Sequence, residues 1–376
     1  MSSKRWIVGF LCVFLVLVLI LAGTVIYIDP FMHYHKPLTD KFYYNLNNQR
    51  SMNRGIVKYF DYEAMITGSS ETHNVKTTEA EDVFGLIFVK VPFAGGTCKE
   101  VNDCVETALE SNDGLRLVIR TMDRMNFPDD KDRVREDFNY PSYLYDDNPF
   151  NDYKYIFNLD IFYHRCLNMI RESMDGKRGI TPFDEYSYTV PGNVYGPENV
   201  LRGYGRFACS GEPMHLSEEE VAVLKGNIAQ NITALPEKYP DVEFYYYLPP
   251  YSAVWYGVRV DNGELEKFLE AEQILIESVL PYDNIKLFSW SDDFQLTCDL
   301  NNYTDALHYG EWVDHLILRR MEEGRGLLTR GNYMDYIDSM RDFYYSYDYN
   351  SLFDQEDQED PPPELDFIWE PTFNEF

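Results

Sequence analysis

The chain has 376 residues, with 63 Asp+Glu against 33 Lys+Arg and a formal net charge of −30. That length is ample for a packed core, and 45% hydrophobic with 16% aromatic residues argues against a disordered chain. The charge argues against nucleic acid as a partner, because no basic surplus neutralises phosphates, and equally against docking on an anionic membrane face. Tyrosine is abundant, at 31 residues. Its flat, polar-tipped ring suits carbohydrate surfaces, but a Tyr-rich core is the simpler expectation.

Positions 6–28 carry no charge and are mostly apolar. At about 1.5 Å per residue they can cross the roughly 30 Å hydrocarbon layer. Lys4 and Arg5 precede the run and Asp29 follows it, which places residues 1–5 in the cytoplasm and the bulk of the chain outside it. A cleaved signal peptide is the rival reading. Its apolar run is normally about 7–15 residues and ends at small residues, and here Ala22-Gly23-Thr24 is the weak point. An uncleaved single-pass anchor over 6–28 is expected. His33 and His35 have metal-like spacing, but two His do not close a metal site. Cys12 lies in the apolar run; the five others, Cys98, Cys104, Cys166, Cys209 and Cys298, cannot all pair with one another. Cys104 falls on the helical stripe Val101, Cys104, Val105, Ala108, Leu109 and reads as a packed thiol. Sparse, unpatterned cysteines suit a bacterial envelope that does not rely on disulfides.

Residues 29–59 read as a juxtamembrane lead-in. Five runs read as buried strands: 62–67, 86–91, 115–121, 242–248 and 285–289. Helical patterns lie over 99–110, over 217–235, opened by the capping box Ser217-Glu218-Glu219-Glu220, and over 265–280. Strands alternating with helices predict an α/β domain over 60–345, with a parallel sheet covered on both faces. Residues 124–215, rich in Tyr, Asp, Asn, Pro and Gly, form a long insertion of the kind that makes lids and binding loops. Its Asp146-Asp147 and Asn151-Asp152 pairs lack the spacing and closing Glu of an EF-hand, so no metal and no cofactor is expected. Residues 346–376 read as a disordered acidic tail: from 351 onward there are nine acidic residues, no basic ones and the run Pro361-Pro362-Pro363.

Three turns could carry chemistry. The first strand ends in Gly68-Ser69-Ser70-Glu71, where an open parallel sheet places its ligands. After the second strand comes Pro92-Phe93-Ala94-Gly95-Gly96-Thr97, whose glycines let backbone N–H groups approach a substrate. After the fifth comes Asp305-Ala306-Leu307-His308. That spacing can bring the carboxylate to Nδ1 and leave Nε2 free to take a hydroxyl proton. His73 follows the first turn and reads as a surface His that could line a pocket. Pro249-Pro250-Tyr251-Ser252 reads as a pocket wall, and Asp160 with His164 as a solvated helix pair.

Together these turns resemble the first, second and fifth blocks of the SGNH (GDSL-like) hydrolase superfamily, over about residues 60–312. The style is that of membrane-anchored envelope members, such as the teichoic-acid D-alanylation protein and polysaccharide O-acetyltransferases. The resemblance implies a flavodoxin-like three-layer sandwich with a five-stranded parallel sheet. It implies Ser70 as nucleophile, His308 as base, Asp305 as its orienter, and an oxyanion hole from the N–H groups of Ser70 and Gly96, with Gly95 the lesser donor. The third block departs. Arg120-Thr121-Met122-Asp123 puts Met122 where the superfamily has an Asn donor, with Asp123 in the last position; Met donates no hydrogen bond. Losing one oxyanion donor costs roughly 3 kcal/mol, and Asn148, Asn151 or the insertion's Tyr hydroxyls are the substitutes at hand. The expected activity is that of an extracytoplasmic serine esterase or O-acyltransferase on an acylated envelope glycan or teichoic-acid-like polymer, with a membrane-bound O-acyltransferase as a possible partner. The alternative is a catalytically reduced binding or assembly partner in envelope polysaccharide biosynthesis or export.

Overall fold

The computed structural model describes residues 3–146 and 148–357. Asp147 and the Pro-rich, acidic stretch 358–376 lie outside the described residues. Seven strands form: β1 Tyr43–Tyr44, β2 Ala64–Gly68, β3 Phe88–Pro92, β4 Leu117–Thr121, β5 Gly179–Ile180, β6 Glu243–Leu248 and β7 Ile285–Ser289. The five longer ones pair in parallel in the order β3-β2-β4-β6-β7. These are the five runs the sequence marks, displaced by at most two residues at their starts. β2, β3 and β4 are buried at every position, as a parallel sheet covered on both faces requires. The chain leaves β2 for the β3 edge and then returns across it to β4. The sheet therefore has its switch point beside β2, where the crevice beyond the strand ends opens.

The helices are α1 Ser3–Ile28, α2 Gln49–Tyr59, α3 Thr77–Phe84, α4 Cys98–Ser111, α5 Tyr153–Ile156, α6 Leu167–Met174 and α7 Pro197–Val200. They continue with α8 Glu218–Ile228, α9 Ala234–Lys238, α10 Ala253–Asp261, α11 Leu265–Val279, α12 Phe294–Cys298, α13 Glu311–Glu322 and α14 Tyr333–Ser346. The pattern over 217–235 becomes α8 and α9 joined by a π-helical turn, with the Ser217–Glu220 capping box in place. α1 is long and apolar enough to cross a membrane. Its side chains are mostly exposed up to Leu21, which packs partly against the core, and Val25 and Ile28 are fully buried in it. Asp29 then turns the chain at φ 47°; its buried carboxylate accepts the N–H groups of His33, Tyr34 and His35 and the Tyr155 hydroxyl.

Two expected boundaries move. The lead-in 29–59 is part of the fold: β1 pairs with β5 of the insertion, and α2 is buried through Met52, Ile56 and Val57. Its polar sequence hides this, because α2 packs partly through ions: Arg50 Nη2 lies 2.8 Å from Glu100 of α4, both nearly inaccessible. At the other end, the first part of the acidic tail is structured. The segment Tyr349–Asp357 forms a 3₁₀ helix, with Tyr349 and Leu352 in the core.

Tyrosine fills the core. Tyr246, Tyr303, Tyr344 and Tyr349 are all buried, and each hydroxyl donates to a backbone carbonyl, of Ile232, Pro250, Ser291 and Tyr344 respectively. The ring supplies apolar area while its tip satisfies an orphan acceptor. None of the six cysteines forms a disulfide, and Cys104 is fully buried.

Arg124, just past β4, is the largest wholly buried side chain. It donates to Glu272 of α11 at 2.7 Å, to the Pro249 carbonyl after β6 at 2.6 Å and to Ser291 after β7 at 2.7 Å. Removing one member of such a pair strands a buried charge, at about 3–5 kcal/mol. Glu272→Ala should therefore lower the unfolding free energy by about that much. Arg124→Met combined with Glu272→Leu should lose clearly less, measured as urea midpoints of the full-length protein.

Candidate active site

Ser70 opens a 3₁₀ turn (Ser70–Thr72) at the carboxyl end of β2. Gly68, at φ 145°, lets that strand end lie against β4; a Cβ there would collide with the Thr121 side chain. The loop after α12 brings His308 to the serine. Ser70 Oγ lies 2.7 Å from His308 Nε2, and His308 Nδ1 lies 2.8 Å from Asp305 Oδ2. Asp305 Oδ1 accepts the N–H groups of Leu307 and His308, so the loop's own backbone holds the carboxylate at the ring. The loop is held in turn by the 249–252 turn: Ser252 donates to the Ala306 carbonyl through both N–H and Oγ, and Tyr303 donates to Pro250.

The charges around the imidazole favour its protonated form. Burial opposes an imidazolium, but the hydrogen bond and charge of Asp305, with Glu71 and Asp123 behind, raise the His308 pKa above its ordinary 6.5. Burial pushes Asp305 the other way from its partner, yet the bonds from His308 and the loop N–H groups hold it below the usual carboxylate range. Glu71 is buried beneath the serine turn and accepts the Ser69 hydroxyl. Burial, then the charge of Asp123, drives its carboxyl up to about 7, against the pull of His308 and Ser69. His73 is largely buried rather than a surface residue. Burial and the neighbouring His308 push its pKa down to about 4, so it is neutral at pH 7. Lys90 donates to the carbonyls of His73 and Val75 and stiffens the same turn.

The glycine turn is furnished differently from the expected pattern. The Gly96 N–H donates to the Phe93 carbonyl at 2.7 Å and is taken by the turn itself. Gly95, at φ 55°, is the glycine whose N–H meets no acceptor among the described residues. Ala94 N–H donates to Gln49 Oε1, and Gln49 Nε2 reaches His73 Nε2 at 3.0 Å and Ser187 Oγ at 2.8 Å. Gln49 thus joins the glycine turn, the serine turn and the insertion. Its place at the first position of a polar helix gave no sequence signal.

In the third block, Met122 is 1% exposed and continues the ladder, its N–H donating to Tyr247. Asp123 is the residue that acts on Glu71 and His308. It accepts the Tyr251 hydroxyl at 2.7 Å and the Met125 N–H, and Asn126 Nδ2 bridges from the Gly96 carbonyl to it. Asn148 and Asn151 are engaged within their own loop: Asn148 Oδ1 accepts the Phe150 N–H and Asn151 Nδ2 donates to Asp146. The other histidines lie elsewhere. His33 pairs with Asp152 and His35 with the Ile26 carbonyl, and Asp160 with His164 is an exposed pair.

A cleft of about 530 Å³ lies beside the serine turn, walled by Asn47, Gln49, His73, Ala94, Phe138 and Ser187 among others. Ser70 and His308 border it through His73 rather than lining it.

No family model matches the chain, and no curated protein matches it. A solved structure described as a candidate platelet activating factor from Streptococcus pneumonia overlaps 77% of this chain and 91% of its own, at 10% identity. Its TM-score of 0.37 carries no argument about fold or activity.

A base must be neutral to accept a proton. The reactivity of Ser70 should therefore rise with pH as His308 deprotonates, with a midpoint above 6.5. Glu71→Gln removes an anion that supports the imidazolium and should move the midpoint down. The rate of fluorophosphonate labelling against pH reads both; an unchanged midpoint in Glu71→Gln would remove that carboxylate from the site's electrostatics.

Proposed function

We propose that the chain is a membrane-anchored, extracytoplasmic serine esterase or O-acyltransferase with an SGNH-like, flavodoxin-like three-layer fold. The observation that carries the reading is the hydrogen-bonded chain Ser70–His308–Asp305, assembled from two turns 238 residues apart. Ser70 Oγ attacks the ester carbonyl and His308 Nε2 takes its proton. Asp305 holds the tautomer and stabilises the imidazolium. The same imidazolium returns the proton to the leaving alcohol. Water or a sugar hydroxyl then resolves the acyl-Ser70 ester with His308 again as base. Ser70 N–H, at the first position of its turn and so without an intrahelical partner, and Gly95 N–H are the oxyanion donors in this reading. The substrate class is an acylated envelope glycan or teichoic-acid-like polymer, and a membrane-bound O-acyltransferase is the natural acyl supplier.

Two features support placing the domain outside the cytoplasm in a bacterial cell membrane. Lys4 and Arg5 precede α1. The last turn of α1 is also built into the core through Val25 and Ile28, as suits an anchor retained by the folded domain.

Purified full-length protein should hydrolyse activated acetyl esters and take a fluorophosphonate at Ser70. Ser70→Ala should lose labelling and roughly 10⁴-fold or more of turnover, and Asp305→Asn a comparable share with Ser70 still present. Absence of both hydrolysis and labelling in the native chain would overturn the reading. A second reading has its own observations: Met122 in the core and the Gly96 N–H bound within its turn reduce the donors available to an oxyanion. A catalytically reduced binding partner in envelope polysaccharide assembly predicts that Ser70→Ala fully rescues a deletion strain.

A further inference from the structure

An exposed apolar stripe lies on the insertion where it packs against the root of α1. Phe150, Tyr153, Phe157, Tyr163, Leu167 and Met174 are all exposed, Phe150 at 88% and Met174 at 83%. Inward positions of the same segment, Tyr155, Ile161, Cys166 and Met169, are buried. The segment is therefore folded onto the domain, with a second apolar face left uncovered. A π-helical turn (Ile161–Cys166) runs directly into α6, and from Tyr163 to Leu167 to Met174 the exposed residues follow helical spacing. Single exposed apolar residues need no explanation, but a contiguous set does.

Its position identifies the occupant. About 20 residues cross the hydrocarbon layer, so a span that begins at Trp6 ends near Val25, the point at which α1 becomes buried. Groups of this segment grip that point, beside Tyr44 of β1, whose hydroxyl donates to the Ile28 carbonyl. Tyr155 donates to Asp29 at 2.7 Å, and the Arg165 guanidinium stands 5.7 Å from the Phe31 ring centre. The stripe therefore lies at the level where α1 leaves lipid, and it is rich in the aromatic residues that favour that depth.

Charge agrees. Residues 29–60 hold five Lys+Arg against two Asp+Glu, and residues 150–178 hold five against four, in a chain of net charge −30. A cavity of about 350 Å³ opens there, lined by Pro30 and Phe31 at the root of α1 and by His164, Arg165, Arg171 and Lys177. Glu172 and Asp175 also line it. Arg165 is half-buried, so desolvation lowers its pKa. Neither Arg165 nor Arg171 lies in an ion pair among the described residues. The acidity of the whole chain argues against anionic lipid, but these two segments each carry a basic surplus.

We propose that the segment 150–178, with the helical run 161–174 at its centre, is a second membrane contact whose apolar stripe enters the headgroup layer while Arg165 and Arg171 take anionic phospholipid headgroups. This rests on reading α1 as membrane-spanning. Asn47 lines both this cavity and the cleft beside the serine turn, so the contact seats the candidate active site next to the bilayer, where a membrane-borne acyl acceptor or donor is presented.

The test uses the full chain in bilayers containing lipids with chain-attached quenchers, with one fluorescent thiol label per variant. Native Cys12 reports the span and native Cys209, exposed and distant in sequence, reports the aqueous domain. Phe157→Cys and Met174→Cys, made without those two thiols, report the stripe. Labels at 157 and 174 should be quenched at least about threefold more than at Cys209 in phosphatidylglycerol-containing bilayers. Arg165→Gln with Arg171→Gln should reduce that quenching, and so should a purely zwitterionic bilayer. Quenching at Cys12 with none at 157 and 174 overturns the contact and leaves the anchor standing. No quenching at Cys12 overturns the spanning reading, and this contact with it. Equal quenching in both lipid compositions overturns the headgroup assignment.

Discussion

A guanidinium with no access to water holds together the strand ends that carry the candidate site. Arg124 joins the ends of β4, β6 and β7 to α11 through Pro249, Ser291 and Glu272. Each guanidinium nitrogen meets an acceptor, as a buried charge requires if it is not to be too costly. The consequence is local order where three strands would otherwise end in independent loops. Tyr251 sits beside the guanidinium and donates to Asp123, and Ser252 holds the loop of Asp305 and His308. The pair therefore fixes the framework on which the serine and imidazole meet.

The second constraint is topological. A parallel sheet that reverses its strand order beside β2 puts one crevice beyond the strand ends, and the residues that meet there come from far-apart turns. That crevice is crowded with ionisable groups. Glu71 and Asp123 lie behind the imidazole, His73 is neutral beside it, and Lys90 braces the turn by its carbonyls. Two carboxylates near one imidazole favour its charged form, which is the form an acyl-transfer transition state creates.

Much of the fold was legible because buried parallel strands are written as short, nearly continuous apolar runs bounded by turns. The runs at 86–91 and 285–289 needed no tertiary context. The Asp305-x-x-His308 pair was legible for a similar reason: the orienting contact is local, made within one turn. α2 was not legible, since it is buried through Arg50, Asn53 and Arg54 as well as through apolar groups, and polar burial leaves no periodic stripe. Gln49 escaped notice and His73 read as a surface residue, because their significance is their mutual contact. The segment 349–357 read as tail because its acidic residues outnumber the Tyr349 and Leu352 side chains that anchor it.

By itself the sequence determined an apolar N-terminal helix, an α/β domain with five parallel strands, a tyrosine-rich interior, and three turns with the residue types of acyl-transfer chemistry. These follow from local patterns: hydrophobic period, turn residues and short spacings. Only the tertiary structure decided that Ser70 and His308 lie 2.7 Å apart, that the Gly96 N–H is taken within its own turn while that of Gly95 meets no acceptor among the described residues, and that Met122 faces the core while Asp123 acts on the charges of Glu71 and His308. It also decided that the 150–178 part of the insertion packs against the end of α1. Each of these depends on which distant groups become neighbours, and that is set by strand order and buried ion pairs rather than by anything within one turn of the chain.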